Sequence, residues 1–280
     1  MPDVRTAYER VCALLDSPFI EAPQFESKLI LCRFIGGEPA ELPLKYALEL
    51  SESDFAEACE IAEKRAAGEP LQYLLGQWEF MSLPFFVGRG VFIPSPDTEH
   101  LAQAGIDFAK SAGKRVRLLD LCAGSGCVGI SVAHYCKNVY ADLVELYPAA
   151  FDYLERNIEL SGNERCNAVF ANALTFTSEE KYDIILSNPP YITAEEYAGL
   201  PPDVAAQPET ALTDGGDGLK YYRAITKNAA GLLREGGMLA FEIGFKQYEP
   251  VSAMLSGAGF RHVHCRRDYA GLRRVVSGVL

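Results

Sequence analysis

From Arg115 to the end of the sequence, short apolar runs alternate with stretches of helical periodicity, and this alternation decides the fold class. Strands are expected at residues 116–121, 139–144, 168–171, 182–187, 238–243, 261–265 and 273–279. Helical stretches at 128–135, 149–160 and 219–233 lie among the first five, and another at 248–256 precedes the sixth. A strand that passes through a helix to the next strand rejoins the same sheet in parallel, by a right-handed crossover. The expectation is an α/β domain, doubly wound around a mostly parallel seven-stranded sheet. The sixth and seventh strands have no helix between them and should pair as an antiparallel hairpin.

The first 75 residues have a different texture, that of a small helical bundle. Val4, Tyr8, Val11, Leu14 and Leu15 recur at helical spacing, and Phe25, Leu29, Ile30, Cys32 and Arg33 continue it after Pro23. Leu44, Ala47 and Leu48 suggest a third short helix. Ser51 or Ser53 can cap a fourth, through Phe55, Ala58 and Ile61 to Ala66, with Gly68 as its stop. Residues 76–94 are short, aromatic and broken by Gly and Pro, the signature of a linking β-hairpin, and a third segment covers 95–280.

Charge and cysteine usage exclude several classes. Twenty-six basic against 38 acidic residues give a net charge of −12, which disfavours bulk contact with a phosphate backbone. The eight cysteines include no Cys-x-x-Cys pair, and His262, His264 and Cys265 cluster without a second half, so no metal is expected. No apolar run reaches the ~18–20 residues of a membrane span. The start, Met1-Pro-Asp-Val-Arg-Thr, lacks a secretory pattern, and a cytoplasmic protein is expected.

Two motifs carry chemistry. In Leu118-Leu-Asp-Leu-Cys-Ala-Gly-Ser-Gly-Cys-Val-Gly a strand ends at Asp120 and Leu121, Gly124 and Gly126 follow, and a helix begins. Glycines let the backbone turn tightly and approach a ligand. Gly124, Gly126 and Gly129 also fit the dinucleotide fingerprint, so nicotinamide binding is weighed here; Asp120 and the motif that follows count against it. Glu145, at the tip of the second strand, can accept both ribose hydroxyls in either reading.

The second motif is Ser187-Asn-Pro-Pro-Tyr at the end of the fourth strand, where open α/β sheets bind their ligands. Asn188 offers an amide with one acceptor and two donors. Pro189 and Pro190 stiffen the loop and keep the Pro189 carbonyl out of a helix. Tyr191 adds a flat apolar face. Together they form a slot for a planar amide or ring amino group. Two acceptors can hold its hydrogens and favour turning a delocalised lone pair towards an electrophile such as the sulfonium methyl of S-adenosylmethionine.

With these motifs go Gly68-Glu-Pro-Leu-Gln-Tyr-Leu-Leu-Gly, Glu79-Phe-Met-Ser-Leu-Pro, Phe92-Ile-Pro-Ser-Pro-Asp-Thr-Glu, Gln207-Pro-Glu-Thr-Ala-Leu and Cys265-Arg-Arg-Asp-Tyr-Ala-Gly. Over nearly its whole length the chain resembles the HemK-type protein-(glutamine-N5) methyltransferases, which modify the Gly-Gly-Gln motif of class I peptide chain release factors. The resemblance implies a Rossmann-like S-adenosylmethionine-dependent domain, with residues 1–75 recognising the substrate. It puts Asn188 and the Pro189 carbonyl on the substrate amide and Tyr191 along the slot. It gathers Asp120, Cys122, Gly124, Gly126, Glu145, Asn172, Asn188 and Thr98 around the cofactor: Gly124, Gly126 and Asp120 at the methionine part, Glu145 on the ribose. The chain departs from the family at Ser95, where Arg is usual, at Cys122, where the first loop glycine stands, and at Asn172, where an Asp is common. The partner expected is a release factor, with no nucleic acid, no membrane and a monomeric enzyme. A ribosomal protein as substrate, or an adenine amino group in nucleic acid, are the alternatives. Outside the motifs, Trp78 and Phe80 are read as packing or substrate contact, Glu242 as facing the cofactor or capping the next helix, and Asp214 as turn chemistry.

Overall fold

The computed structural model describes residues 1–280, which sort into two units. One holds Met1–Gln77 together with Leu200–Ala206; the other holds Trp78–Gly199 and Gln207–Leu280.

In the first unit, helices Val4–Leu14, Pro23–Ile35 and Glu52–Ala66 turn their apolar stripes inward. Val4, Ala7, Val11, Ile30, Leu31, Ala58, Ile61 and Ala62 share one core, joined by Leu71 from the short helix Leu71–Leu75. The Asp3 carboxylate accepts the Thr6 N–H at 2.8 Å, and the Ser51 hydroxyl accepts that of Asp54 at 3.0 Å, so Ser51 rather than Ser53 is the cap. The short helix expected around Leu44, Ala47 and Leu48 is instead a 3-10 helix at Pro39–Lys45, and Leu44 and Leu48 are exposed. Within that turn Pro43 bars an α-helix, because its ring would strike the carbonyl four residues back. Arg65 is buried, and its guanidinium donates to both oxygens of Glu26 at 2.8 and 3.1 Å and to Asp203 of the returning segment at 3.4 Å.

The second unit opens with the hairpin β1 (Gln77–Phe80) and β2 (Leu83–Phe86). Its two turn residues, Met81 and Ser82, both have positive φ, which a tight hairpin turn matched to strand twist requires. Phe80 and Phe85 pack edge to face in the core, so Phe80 is a packing residue; Trp78 packs on Val87, Val91 and Ala150. A helix at Glu99–Ser111, which the apolar spacing alone does not announce, then covers the sheet with Leu101, Ala102, Ile106 and Ala109.

Seven strands follow: β3 (Val116–Leu121), β4 (Val139–Glu145), β5 (Cys166–Phe170), β6 (Tyr182–Ser187), β7 (Leu233–Glu242), β8 (Arg261–Arg267) and β9 (Arg273–Val279). Their order is β5-β4-β3-β6-β7-β9-β8. The first five are parallel, and β9 runs antiparallel to both β7 and β8, so the seven-stranded sheet and its closing hairpin are as expected. Strand β7 starts earlier than its apolar run, because Leu233 pairs with Tyr182 before a bulge. Along β3, Leu118 faces one core and Leu119 and Leu121 the other, which is why the central strands read as continuous apolar runs. No helix is long and apolar enough to cross a membrane.

The Arg65 cluster tests the first unit. Glu26→Ala leaves a buried guanidinium with only Asp203, and should cost about 2–3 kcal/mol. Hydrogen exchange of the Glu52–Ala66 amides reads this directly; unchanged protection would refute the assignment.

Candidate active site at the carboxyl edge of the sheet

Strands β3, β4 and β5 succeed one another in one direction, and β6 and β7 in the other, so the chain reverses between β3 and β6. At their ends Leu121 pairs with Ser187, and the buried Ser187 hydroxyl donates to the Leu121 carbonyl at 2.7 Å. The loop after β3 and the segment Asn188–Tyr191 therefore leave the sheet side by side.

On the β3 side, the loop takes positive φ at Cys122 (63°), Gly124 (56°) and Gly126 (80°). A Cβ on Gly126 would sit 2.6 Å from Leu154 Cδ1 and 2.8 Å from Ile130 Cδ1, so a side chain here would displace both on top of the strain of positive φ. Cys122 holds a conformation that costs a side-chain-bearing residue roughly 1–2 kcal/mol. Gly129 serves a different purpose. Its N–H donates to Asp120 Oδ2 at 2.9 Å, and a Cβ there would lie 3.1 Å from that oxygen and 2.9 Å from Leu143 Cδ2. The third glycine of the fingerprint thus admits a carboxylate to the helix terminus.

Glu145 organises the loop from β4. Its Oε2 accepts the Gly124 N–H at 2.9 Å, and its Oε1 accepts those of Leu146 at 2.7 Å and Tyr147 at 2.8 Å. Asp120 and Glu145 are both buried, and no lysine or arginine pairs with either. Burial pushes the Asp120 carboxyl up to about 7; the Gly129 N–H opposes this and the charge of Glu145 adds to it. Burial also raises the Cys122 thiol and the Tyr221 phenol beside them. Two adjacent acids without a base suit a ligand that brings positive charge. S-adenosylmethionine, with its sulfonium and ammonium, fits; a dinucleotide pyrophosphate would meet both carboxylates. The space above Gly124 is open: a Cβ there would have nothing within 4 Å. Asn172 follows β5, and its Oδ1 accepts the Leu174 N–H at 2.9 Å in a turn.

On the β6 side, Asn188 Nδ2 donates to Thr98 Oγ1 at 3.2 Å. Thr98 is buried at the end of a 3-10 turn, Pro96–Thr98, whose cap is Ser95: the serine hydroxyl accepts the Asp97 N–H at 3.2 Å. The Tyr191 hydroxyl donates to Glu242 Oε1 at 3.1 Å. Glu242 is buried at the end of β7, and burial pushes it up to about 7, against the hydroxyls of Thr98 and Tyr191 and the guanidinium of Arg274. It does not cap the following helix, Tyr248–Gly257, which has no side-chain cap.

Sequence reasoning missed the support behind Tyr191. Gln247 Nε2 donates to the Tyr191 carbonyl at 2.9 Å and to that of Gly218 at 3.3 Å, while its Oε1 accepts the Gly244 N–H at 3.0 Å. Gly218 must be bare, since a Cβ would fall 2.2 Å from the Tyr191 carbonyl. Asp214 builds that turn, accepting the N–H groups of Gly216, Gly218 and Lys220. The strand-end acid Glu242 and the turn residue Asp214 left a trace in the sequence; Gln247 left none.

The methyltransferase small domain family matches residues 106–221, and the PrmC N-terminal domain matches residues 6–76. A release factor glutamine methyltransferase of Fusobacterium nucleatum is 38% identical over 238 residues, 83% of this chain and 67% of that protein. One of Bordetella pertussis is 36% identical over 260 residues, 92% of this chain and 95% of that protein. Among solved structures, a methyltransferase from Pyrococcus furiosus has a TM-score of 0.53 at 17% identity, over 71% of this chain and 90% of that one, a likeness of fold alone.

Asp120 makes stability depend on pH. Its folded value, about 7, lies above its ordinary 3.8, so the native state holds this proton more tightly than the unfolded chain. That contribution is full below the ordinary value and is lost as pH rises through 7. Asp120→Asn, which cannot ionise, should gain on the order of 1–3 kcal/mol over the parent at pH 8 and nothing near pH 4. Urea midpoints at the two pH values check this; an equal difference at both would refute it.

Proposed function

The chain belongs to the release factor glutamine methyltransferase family, and from that premise we infer that it methylates the side-chain amide nitrogen of the glutamine in the Gly-Gly-Gln motif of a class I peptide chain release factor. The cofactor is S-adenosylmethionine, which supplies an electrophilic methyl on a cationic sulfur. The observation that carries the acceptor assignment is Asn188: it stands at the reversal of the sheet with its amide nitrogen engaged by Thr98.

An amide nitrogen is a poor nucleophile because its lone pair is delocalised. The site answers this by orientation. With its Nδ2 turned to Thr98, Asn188 presents Oδ1 to one N–H of the acceptor amide. The Pro189 carbonyl, which no backbone N–H occupies and two prolines hold rigid, takes the other. Held by both hydrogens, the amide nitrogen can turn its lone pair to the methyl in line with the departing sulfur, and positioning of this kind supplies most of the required effect. Its proton becomes strongly acidic once the methyl has arrived and can leave then, so no strong base is needed. Asp120 and Glu145 hold the cofactor's cationic end and ribose beside the loop, and Tyr191 walls the slot. The enzyme acts where release factors work, in the cytoplasm.

Methyl incorporation from labelled cofactor into a purified release factor tests this, with the Gln→Ala variant of its Gly-Gly-Gln motif as control. Label is expected on the parent factor only; equal labelling of both removes the acceptor assignment. Asn188→Ala should lose roughly 10²–10³-fold in rate, the scale of one positioned hydrogen-bond partner of a reacting group, with cofactor affinity nearly unchanged.

A further inference from the structure

The hairpin of β8 and β9 turns at the carboxyl edge of the sheet. Strand β9 starts beside the end of β7, where Glu242 pairs with Val275 and the Ile243 N–H donates to the Arg274 carbonyl at 2.8 Å. The tip of the hairpin, residues 268–272, therefore lies on the same edge as Asn188. A line of contacts joins the two. Arg274 pairs with Asp268 and with Asp97, each at 3.0 Å; Asp97 belongs to the turn Pro96–Thr98, and Thr98 accepts the Asn188 N–H. The tip is held in shape. The Asp268 N–H donates to the Leu272 carbonyl and its Oδ1 accepts the Leu272 N–H, both at 2.9 Å, and the Gly271 N–H donates to the Asp268 carbonyl at 3.0 Å. On this ordered tip Tyr269 is 88% exposed and Leu272 43%, with the His100 ring 4.8 Å from that of Tyr269. The Arg267 guanidinium donates to the Gly271 carbonyl and pairs with no carboxylate.

We propose that this tip, through Tyr269 and Leu272, is a docking surface for the body of the release factor, next to the slot that takes its glutamine. The inference rests on the reading of Asn188 as the clamp on the acceptor amide. Two glycines bring no side chains, and the slot holds a single amide. Most of the area that binds the factor therefore lies outside the slot. A protein whose loop reaches Asn188 lies over the carboxyl edge, and the tip stands on that edge, two ion pairs away along the line through Arg274. A tyrosine ring contributes nothing to folding when it is this exposed. For binding it is well suited, since it brings a large rigid face at the entropy cost of two side-chain torsions. Tyrosine and arginine are also the residue types that dominate interface energetics. Because the tip is already ordered, little is lost in fixing it on binding. The matching surface on the factor is an apolar patch that accepts a tyrosine ring, with a carboxylate in reach of Arg267.

The test is calorimetric binding and steady-state methylation of a purified class I release factor by the full chain and by Tyr269→Ala, Tyr269→Phe and Leu272→Ser. Tyr269→Ala should raise Kd and KM for the factor roughly tenfold or more, the scale of an interface anchor. Its kcat, its affinity for S-adenosylmethionine and its urea midpoint should stay those of the parent. Leu272→Ser should raise Kd and KM by a smaller factor, and Tyr269→Phe should match the parent, because the contact uses the ring face. The docking contact lies outside the slot. The Gln→Ala factor should therefore bind the parent enzyme nearly as tightly as the natural one, and lose the same factor on Tyr269→Ala. Parent-like Kd in Tyr269→Ala, or a loss confined to kcat, overturns the proposal. If Tyr269→Ala does not fold, parent-like Kd in Leu272→Ser overturns it equally. A parent chain that sediments as a dimer, with Tyr269→Ala as a monomer, gives this face to a second copy and overturns it too. Equal labelling of the natural and Gln→Ala factors by the parent enzyme removes the acceptor reading and this inference with it, whatever the binding results.

Discussion

The pairing of β3 with β6 is the constraint on which the rest depends. It lies where the sheet reverses direction, and the Ser187 hydroxyl locks the two strand ends together. Both strands are buried on both faces, so they cannot slide or tilt without opening two cores. Apart from Thr98, every residue assigned a part in the chemistry lies within a few positions of this rigid edge. Asp120 stands one residue before the end of β3, Glu145 ends β4, Ser187 ends β6 and Glu242 ends β7, and all four are buried. A carboxyl edge built from buried acids is a poor choice for stability and a good one for a site, because burial moves Asp120 and Glu242 into the physiological range. The two sides of the edge differ in their counter-charges. Asp120 and Glu145 have no base near them and suit a cationic cofactor. Glu242 has Arg274, which also pairs with Asp268 and Asp97, and suits a fixed network of hydroxyls.

The loop after β3 shows how one spacing can serve two chemistries. Gly124, Gly126 and Gly129 match the dinucleotide pattern residue for residue. In a dinucleotide site the helix N-terminus is kept for pyrophosphate. Here the Asp120 carboxylate takes a helix N–H, and a bare Gly129 makes room for it. The strand-tip acid, more than the glycines, decides what the loop can hold.

What could be read from the sequence was whatever depends on local pattern. The central strands were legible because burial on two faces leaves a continuous apolar run, and Asn188-Pro-Pro-Tyr because so few local roles need it. The helix Glu99–Ser111 was not, because Gly105 sits in its middle and reads as a break. The structure gives the reason for that glycine: a Cβ would lie 2.8 Å from Leu186 and 3.1 Å from Val132, so close packing on the sheet overrides propensity. The apolar spacing of Leu44 and Leu48 misled, because both are exposed and the helical turn, at Pro39–Lys45, stops short of Leu48. Long-range polar contacts left no mark at all. Asp203 pairs with Arg65 across 138 positions, and Gln247 reaches Tyr191 across 56.

Gln247 bears on how such a site can work without a strong base. In the proposed reaction nothing makes the amide nitrogen a better nucleophile by removing its proton, so the whole effect must come from where its two hydrogens are held. Acceptors that wander by an ångström lose that effect. The Pro189 carbonyl is therefore only as useful as the loop beneath it is stiff. Two prolines limit the backbone from within, but they cannot stop the loop swinging as a body. Gln247 does, by donating to the Tyr191 carbonyl from behind, with its own oxygen tied to Gly244. Gly218 lets the neighbouring turn approach close enough for the same amide to reach it, and Asp214 holds that turn in shape. Residues with no contact to either substrate thus set the precision of the clamp, and the chemistry that needs no base needs this scaffold instead.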